Sequence, residues 1–167
     1  TGTGSNGCTA TASAVIGSNT TPPSVAVSPT SGTLTCTTTS IDLTASGADS
    51  YSWSPSGTGT SKTVTTANTY TVTGTGSNGC TATASAVIGS NTTAPSVAVS
   101  PTSSTLTCTT TSIDLTATGA DTYSWSPSGT GTSKTVTTAN TYTVTGTSSS
   151  NGCTATASAV IGSNTTA

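Results

Sequence analysis

The sequence predicts an all-β chain made of repeated antiparallel sandwiches of about seven short strands, arranged in a line. Apolar and hydroxyl residues alternate with period 2, as in Asn68 to Gly74, where Tyr70 and Val72 alternate with threonines. Asn78-Gly79 is a hairpin turn signal, because both residues tolerate positive φ. No stretch has helical periodicity. These observations indicate half-buried strands joined by tight turns.

The chain also repeats itself. An interval of 72 residues relates three pairs: Cys8 and Cys80, Cys36 and Cys108, Trp53 and Trp125. The interval from Cys80 to Cys153 is one residue longer, at 73, because the second copy has Ser148-Ser149 where the first copy has Gly76. Units of about 70 residues are long enough to be small domains. The predicted domains are the end of a preceding repeat, a first repeat and a second repeat, at residues 1–21, 22–93 and 94–167.

Seven strands are predicted in the first repeat, each justified by alternation between turn signals. They lie near Ser24–Ser28, Thr33–Cys36, Ser40–Ala45, Ser50–Ser54, Lys62–Thr65, Thr69–Gly74 and Cys80–Ile88. The inward-facing residues by parity are Val25, Val27, Leu34, Ile41, Leu43, Tyr51, Trp53, Val64, Tyr70 and Val72. The aromatic core residues are Trp53 and Tyr70 in the first repeat, and Trp125 and Tyr142 in the second.

The composition excludes several classes of function. The chain has two Lys, four Asp and no Arg, Glu or His, so it has too little positive charge to neutralise nucleic-acid phosphates. No apolar run approaches the 18 residues of a membrane span. A Thr/Ser/Gly-rich chain could be disordered, but the strict alternation and the regular Trp, Tyr and Cys favour a folded β protein. Because charge is sparse, hydroxyl groups or sugars must supply solubility.

The linkers are short and carry prolines. They are Gly17 to Pro23 and Gly89 to Pro95. Because proline restricts the chain and the linkers are short, neighbouring domains should lean on one another and form a rod. The chain starts with Thr and ends within the repeat pattern, which predicts a mature fragment or a window of a longer polymer.

The cysteines are expected to form disulfides. Cys36 shares inward parity with Leu34, and Cys80 shares it with Ala82, so a bridge inside each repeat is predicted: Cys36–Cys80 and Cys108–Cys153. Cys8 would then pair outside the sequence. A metal site is the alternative, but the chain has no His and no Cys-x-x-Cys. Disulfides predict an oxidising, extracellular location.

Three blocks together resemble a known family. They are the Ile41 to Pro55 segment with its Tyr-Ser-Trp-Ser-Pro ending, the Thr69 to Gly74 strand, and Ser77-Asn-Gly-Cys80 with the Thr-Ala-Thr-Ala after it. This pattern is similar to the PKD-like, immunoglobulin-like repeats of large secreted surface proteins of the Bacteroidota. The resemblance implies tandem domains acting as stalks, adhesins or fibre subunits, with a similar cysteine pair. Calcium sites of related domains are not expected, because acidic residues are so few.

Glycosylation is a candidate modification. Each linker carries an Asn-x-Thr acceptor, with Asn19, Asn91 and Asn164 as the candidate asparagines. The alternative is that these are ordinary loop residues. O-linked sugar on linker or outward strand hydroxyls is also expected, since Ser/Thr/Pro-rich, charge-poor surfaces are typical of glycan-coated stalks. The O-linked candidates are Thr20, Thr21, Thr92, Thr93, Thr71, Thr73, Thr81 and Thr83.

Other chemistry lacks its parts. No His base accompanies the Ser and Thr hydroxyls, so catalysis is not expected. Calcium at Asp42 and Asp49 would need more oxygen ligands, and no other cofactor is expected. A cross-link from Lys62 to a nearby Asp or Asn is less expected than a surface ion pair. The Thr-x-Thr runs are compatible with ice binding, although sandwich sheets twist and ordinary alternation gives the same pattern.

The sequence therefore predicts a structural extracellular stalk or fibril of tandem domains, with a glycan coat. Its partners would be adjacent repeats of the same chain or identical chains in a fibril, with no nucleic acid and no membrane insertion. The orphan strand Cys8 to Ile16 would be completed by a preceding domain or by a neighbouring subunit. The alternatives are an adhesin module that binds carbohydrate or a surface, and a spacer within a larger secreted enzyme.

Overall fold

A computed structural model describes residues 1–164 and contains strands but no helix in that range. A two-residue pair, β1 (Gly2–Thr3) and β2 (Thr9–Ala10), comes first. The first repeat contains β3 (Ala26–Ser28), β4 (Ser31–Thr35), β5 (Ile41–Ser46), β6 (Ser50–Ser54), β7 (Ser61–Val64), β8 (Asn68–Thr75) and β9 (Thr81–Asn91). The second repeat contains β10 (Ala98–Ser100), β11 (Ser103–Thr107), β12 (Ile113–Thr118), β13 (Thr122–Ser126), β14 (Ser133–Val136), β15 (Asn140–Thr147) and β16 (Thr154–Asn164).

Each repeat folds into two facing sheets. In the first repeat the strand orders are β3-β5-β7 and β4-β9-β8-β6, and in the second they are β10-β12-β14 and β11-β16-β15-β13. All pairs are antiparallel except β4 with β9 and β11 with β16, which are parallel. The predicted all-β, immunoglobulin-like sandwich of seven strands is confirmed. Each repeat also has one parallel pair of strands, which the predicted antiparallel sandwich does not specify.

The two sandwiches have separate interiors. One hydrophobic cluster contains residues from β3 to β9, and the other contains residues from β10 to β16. Trp53, Tyr70, Trp125 and Tyr142 are each only 4% exposed. Val25 and Ile41 are partly buried at the margin of the first cluster.

The buried aromatic residues also satisfy their polar groups, which limits the cost of their burial. Trp53 Nε1 donates to the Gly59 carbonyl at 2.9 Å. The Tyr51 hydroxyl donates to the Ala48 carbonyl at 2.9 Å and accepts from the Ala48 amide at 2.7 Å. Tyr70 OH donates to the Thr66 carbonyl at 2.9 Å. Each aromatic side chain therefore fixes the loop beside it as well as filling the core.

Gly47, in the turn between β5 and β6, provides a test of this close packing. Its φ is +91°, and a Cβ there would lie 1.8 Å from the Ser24 carbonyl oxygen. Gly59 has a similar φ of +96° but open space around its Cβ position. We expect Gly47→Ala to lower the free energy of unfolding by about 2 kcal/mol more than Gly59→Ala, because only Gly47→Ala adds a backbone clash to the φ strain. Urea denaturation of both variants measures this difference, and equal losses would contradict the described contact with Ser24.

The segment ahead of the first sandwich is extended and exposed. Beyond β2 it has no regular structure until β3, although the sequence predicts a strand from Cys8 to Ile16. Val15 is 97% exposed and Ile16 is 94% exposed. By contrast, Ile88 and Ile161, which are the counterparts of Ile16 in the two repeats, are each 2% exposed. The described residues therefore hold two complete sandwiches and the sequence of one further last strand without its neighbours.

Candidate inter-repeat junction

The structure links the two repeats by a disulfide between Cys36 and Cys153, with a Cα–Cα distance of 5.1 Å. The predicted bridges Cys36–Cys80 and Cys108–Cys153 are therefore wrong, since Cys36 and Cys153 are already joined to each other. The bond connects a loop of the first repeat to a hairpin of the second.

The parallel pairing of β4 with β9 explains why a bridge inside one repeat does not form. Thr35 lies opposite Asn91, so Cys36 follows at the end of the sandwich where β9 finishes. Cys80 precedes β9, an 11-residue strand, so it lies at the opposite end, about 36 Å away at the usual rise per residue. A disulfide requires Cα atoms within about 7 Å. Shared inward parity therefore does not bring these two cysteines together.

A tight loop presents Cys36 to the second repeat. The Thr35 amide donates to the Thr38 carbonyl at 2.9 Å, and the Thr38 amide donates to Thr35 Oγ1 at 2.9 Å. The same two bonds recur between Thr107 and Thr110 beside Cys108. The Thr35 hydroxyl thus holds a compact turn with Cys36 on its exposed rim.

Asn151 organises the other side of the junction. Its side-chain oxygen accepts from the Cys153 amide at 2.9 Å, and its Nδ2 donates to Asn91 Oδ1 at 3.0 Å and to the Thr93 carbonyl at 2.9 Å. Its backbone carbonyl accepts from the Cys36 amide at 3.2 Å. Asn151 is 5% exposed. Asn151 therefore connects the hairpin to the linker through its side-chain amide, and to the loop of the preceding repeat through its backbone carbonyl.

The hairpin also packs directly on the first repeat. Gly152 has a φ of +68°, and a Cβ at this position would lie 2.4 Å from Thr37 Cγ2. The sequence pattern marks Asn78-Gly79 and its second copy only as a turn signal, and it does not single out Asn151, Gly152 or Thr37 as junction residues. The signal available was the repetition of Asn-Gly-Cys at a fixed distance from each Asn-Thr-Thr linker.

The first repeat carries the same hairpin arrangement around Cys80. Asn78 Nδ2 donates to Asn19 Oδ1 at 3.2 Å, to the Asn19 carbonyl at 3.2 Å and to the Thr21 carbonyl at 2.9 Å. Asn78 Oδ1 accepts from the Cys80 amide at 3.0 Å. Among the described residues, Cys80 is half-buried with a free thiol, and Cys8 has an exposed free thiol. Cys108 is exposed.

The insertion in the second hairpin creates one further contact. Ser149 donates to Asp121 Oδ2 from its backbone amide at 2.7 Å and from its hydroxyl at 2.9 Å. These hydrogen bonds, led by the backbone amide, lower the pKa of the Asp121 carboxyl below its ordinary value.

Because the folded pKa of Asp121 is lowered, its contribution to stability is present above the unfolded pKa and is lost as the pH falls through the folded pKa. We expect Ser149→Ala to raise the pKa of Asp121 part of the way back, since the variant keeps the amide donor. NMR titration of the Asp121 carboxyl carbon in the parent chain and in Ser149→Ala measures this change in pKa. An unchanged Asp121 titration would contradict the hydroxyl contact.

The candidate sugar-bearing residues differ in accessibility. Thr81 and Thr83 lie on β9 and are exposed. The other exposed candidates are Asn19, Thr20, Thr21, Asn91, Thr92, Thr93 and Asn164. Thr71 and Thr73 are half-buried on the central strand β8, and Thr71 Oγ1 hydrogen-bonds Ser85 Oγ at 2.9 Å. Asn19 and Asn91 each use their amide oxygen in a junction hydrogen bond. Thr165 and Thr166, which complete the Asn164 acceptor, lie outside the described residues.

The charged residues have local partners. Lys62 donates to the Ser56 carbonyl and lies 5.7 Å from the centroid of the Tyr70 ring, while Asp42 accepts from Thr63 Oγ1 at 2.5 Å. Across residues 1–164, no group of three or more His, Cys, Asp or Glu side chains could hold a metal ion. The part of the chain that is described has no helix long and apolar enough to cross a membrane.

No protein-family model matches this chain, and no curated protein matches it. Among solved structures it is similar to three N-terminal domains of the Hoc outer capsid protein of bacteriophage RB49, with 19% identity, a TM-score of 0.44, and coverage of 85% of this chain and 59% of that one. It is also similar to a 1.5-MDa bacterial ice-binding adhesin, with 15% identity, a TM-score of 0.44, and coverage of 89% and 67%. The four N-terminal Ig domains of Dscam1 isoform 6.44 match with 13% identity, a TM-score of 0.36, and coverage of 90% and 47%. These similarities concern the fold alone.

Proposed function

We propose that this chain is a structural, extracellular protein in which tandem immunoglobulin-like repeats, at residues 22–93 and 94–167, form a stalk or fibril. The observation that carries the proposal is the Cys36–Cys153 disulfide, because it connects successive repeats instead of closing each one. Two neighbours are then joined twice, by the peptide linker and by the sulfur bridge. The finer assignment is to PKD-like repeats of bacterial surface proteins, and it rests on the sequence resemblance.

The double connection favours a load-bearing role. Cys36 and Cys153 are 117 residues apart in sequence, and the chain between them corresponds to about 400 Å when fully extended. A force applied at the two ends of the chain passes through the bridge, so the residues between the cysteines are shielded from it. Such a junction limits extension to the segments outside the loop.

The setting of the proposed stalk is outside the cell. Disulfides persist in oxidising compartments, and a surface with so few charges needs hydroxyl groups or glycans to remain soluble. The exposed hydroxyls of Thr81 and Thr83 and the exposed linker asparagines Asn19 and Asn91 are the proposed attachment sites. The proposed role is non-catalytic, needs no metal or other cofactor, and has adjacent repeats or identical chains as partners.

Single-molecule force spectroscopy tests the proposed role. The full chain is stretched between its ends in oxidising buffer and then in buffer with a reductant. The proposal predicts that reduction adds about 400 Å of releasable contour length. Cys36→Ser should reach the long contour length without reductant, and Cys80→Ser should behave as the parent chain does. Equal contour lengths in the two buffers would overturn the load-bearing role.

A carbohydrate-binding adhesin is the second candidate function. A polar cleft of about 450 Å³ lies beside Asp49 and is lined also by Asn19, Thr21 and Asn78. Carboxylate and amide groups of this kind can hydrogen-bond sugar hydroxyls. Binding of the full chain to a glycan array, lost in Asp49→Ala, would support this function. If no glycan on the array binds the chain, the adhesin function is contradicted and the structural role is the one that remains.

A further inference from the structure

The first repeat contains an unoccupied copy of the junction that joins it to the second repeat. Asn78 and Asn151 occupy equivalent hairpins, and each donates from Nδ2 to an asparagine oxygen and a threonine carbonyl of the linker before its own repeat. Each also accepts from the amide of the cysteine two residues later. Only Cys153 is in a disulfide among these described hairpins. Cys80 therefore has the surroundings of a junction cysteine and a free thiol.

Residues 1–21, which lie beside this hairpin, also lack the strands that would pair with them in a complete sandwich. Residues 1–21 are identical in sequence to residues 73–93, which contain β9 and its hairpin. In β9, Ile88 is 2% exposed in the core, but its copy Ile16 is 94% exposed. An isoleucine with the same surrounding sequence as Ile88 is suited to a sandwich interior, and burying its exposed side chain would stabilise the assembly.

These two features point to one partner. A sandwich that used residues 9–19 as its last strand would place its copy of Cys36 at the end of that strand, as β4 places Cys36 beside the end of β9. In the described junction, that position faces the hairpin of the next repeat. For residues 9–19, the next hairpin is the one that carries Cys80.

We propose that residues 9–19 and the hairpin around Cys80 form the docking site for the strands of a further copy of the repeat. This copy lies on the N-terminal side of Thr1, and its counterpart of Cys36 forms a disulfide with Cys80. The inference deepens the proposed stalk, since it makes the inter-repeat bridge a rule that applies at every junction. At each junction, the cysteine that follows the second strand of one repeat forms a disulfide with the hairpin cysteine of the next repeat.

The bond forms by thiol–disulfide exchange with a small-molecule disulfide such as oxidised glutathione. One protein thiolate attacks that disulfide, forms a mixed disulfide and releases one glutathione thiolate. The second protein thiolate then attacks the protein sulfur and displaces the other glutathione. Two protein thiols are oxidised to one disulfide, and one glutathione disulfide is reduced to two thiols.

An extended chain tests the proposal. A copy of residues 22–72 is fused ahead of Thr1, so that residues 1–21 complete a third repeat, and the chain is oxidised in a glutathione buffer. After alkylation of free thiols and tryptic cleavage, the added cysteine is expected on the same linked species as Cys80, with Cys8 alkylated. Amide hydrogen exchange around Val15 and Ile16 is expected to slow by at least tenfold relative to the parent chain, as strand pairing forms.

The matched control is Cys80→Ser in the extended chain. It should leave the added cysteine alkylated and the slow exchange around Ile16 unchanged, because the strand forms without the bridge. A bridge from the added cysteine to Cys8, an intermolecular bridge from Cys80, or alkylated Cys80 in a chain with protected residues 9–19 would each overturn the proposal. If the Cys36–Cys153 bridge persists in those cases, the proposed stalk stands while this inference fails; loss of that bridge as well would count against both.

Discussion

Cys36→Ser is expected to lower the total free energy of unfolding of the chain by about 3–5 kcal/mol. The bond joins residues separated by 117 positions, and a closed loop of that size removes about 5 kcal/mol of chain entropy from the unfolded state in the loop-entropy model. Cys36 is on an exposed rim, so the substitution itself removes little packing. Most of the measured loss should therefore come from the bridge.

Urea denaturation followed by Trp fluorescence measures this loss. Cys80→Ser is the matched control, because it removes a cysteine that forms no bridge within residues 1–164. It should change the free energy of unfolding by less than about 1 kcal/mol. Equal stability of Cys36→Ser and the parent chain would contradict a bridge at this position.

Leu43→Ala is expected to destabilise the first repeat by about 3–4 kcal/mol and to leave the core of the second repeat intact. Leu43 is 0% exposed in the first cluster, as its counterpart Leu115 is in the second. Truncation of a fully buried leucine loses its transfer free energy and leaves a cavity. Because the two hydrophobic clusters are separate, the cavity affects one of them directly.

Each repeat has one tryptophan, so the two cores can be followed separately. In a Trp125→Phe background, the fluorescence of Trp53 reports the first repeat, and in a Trp53→Phe background Trp125 reports the second. Val87→Ala is the control, since Val87 is 58% exposed and its loss should cost under about 0.5 kcal/mol. Equal destabilisation of both repeats by Leu43→Ala would argue for one shared interior.

The strand positions were predictable from the sequence because alternation directly determines which side chains face inward. The predicted Ser50–Ser54 agrees with β6 at both ends, and the other strands of the first repeat differ by only a few residues. Trp53 and Tyr70 were assigned to the core from the same parity. The information was local, since a strand needs only its own residues to show period 2.

The disulfide was not predictable in the same way, because it depends on which strands pair and in which direction. Parity places Cys36 and Cys80 on inward faces but does not reveal that β4 runs parallel to β9, which separates them by the length of the sandwich. The interactions of Asn151 with Asn91 and Thr93 connect residues about 60 positions apart. Such contacts follow from how one repeat rests on the next.

Peptide mapping without reduction tests most directly whether successive repeats are bridged. Trypsin can cleave this chain only after Lys62 and Lys134, which gives the peptides 1–62, 63–134 and 135–167. The bridge between Cys36 and Cys153 predicts that peptide 1–62 and peptide 135–167 are bonded directly to each other. If each repeat instead closed on itself through Cys36–Cys80 and Cys108–Cys153, these two peptides would each be bonded to 63–134 and not to each other, and that result would contradict the inter-repeat junction.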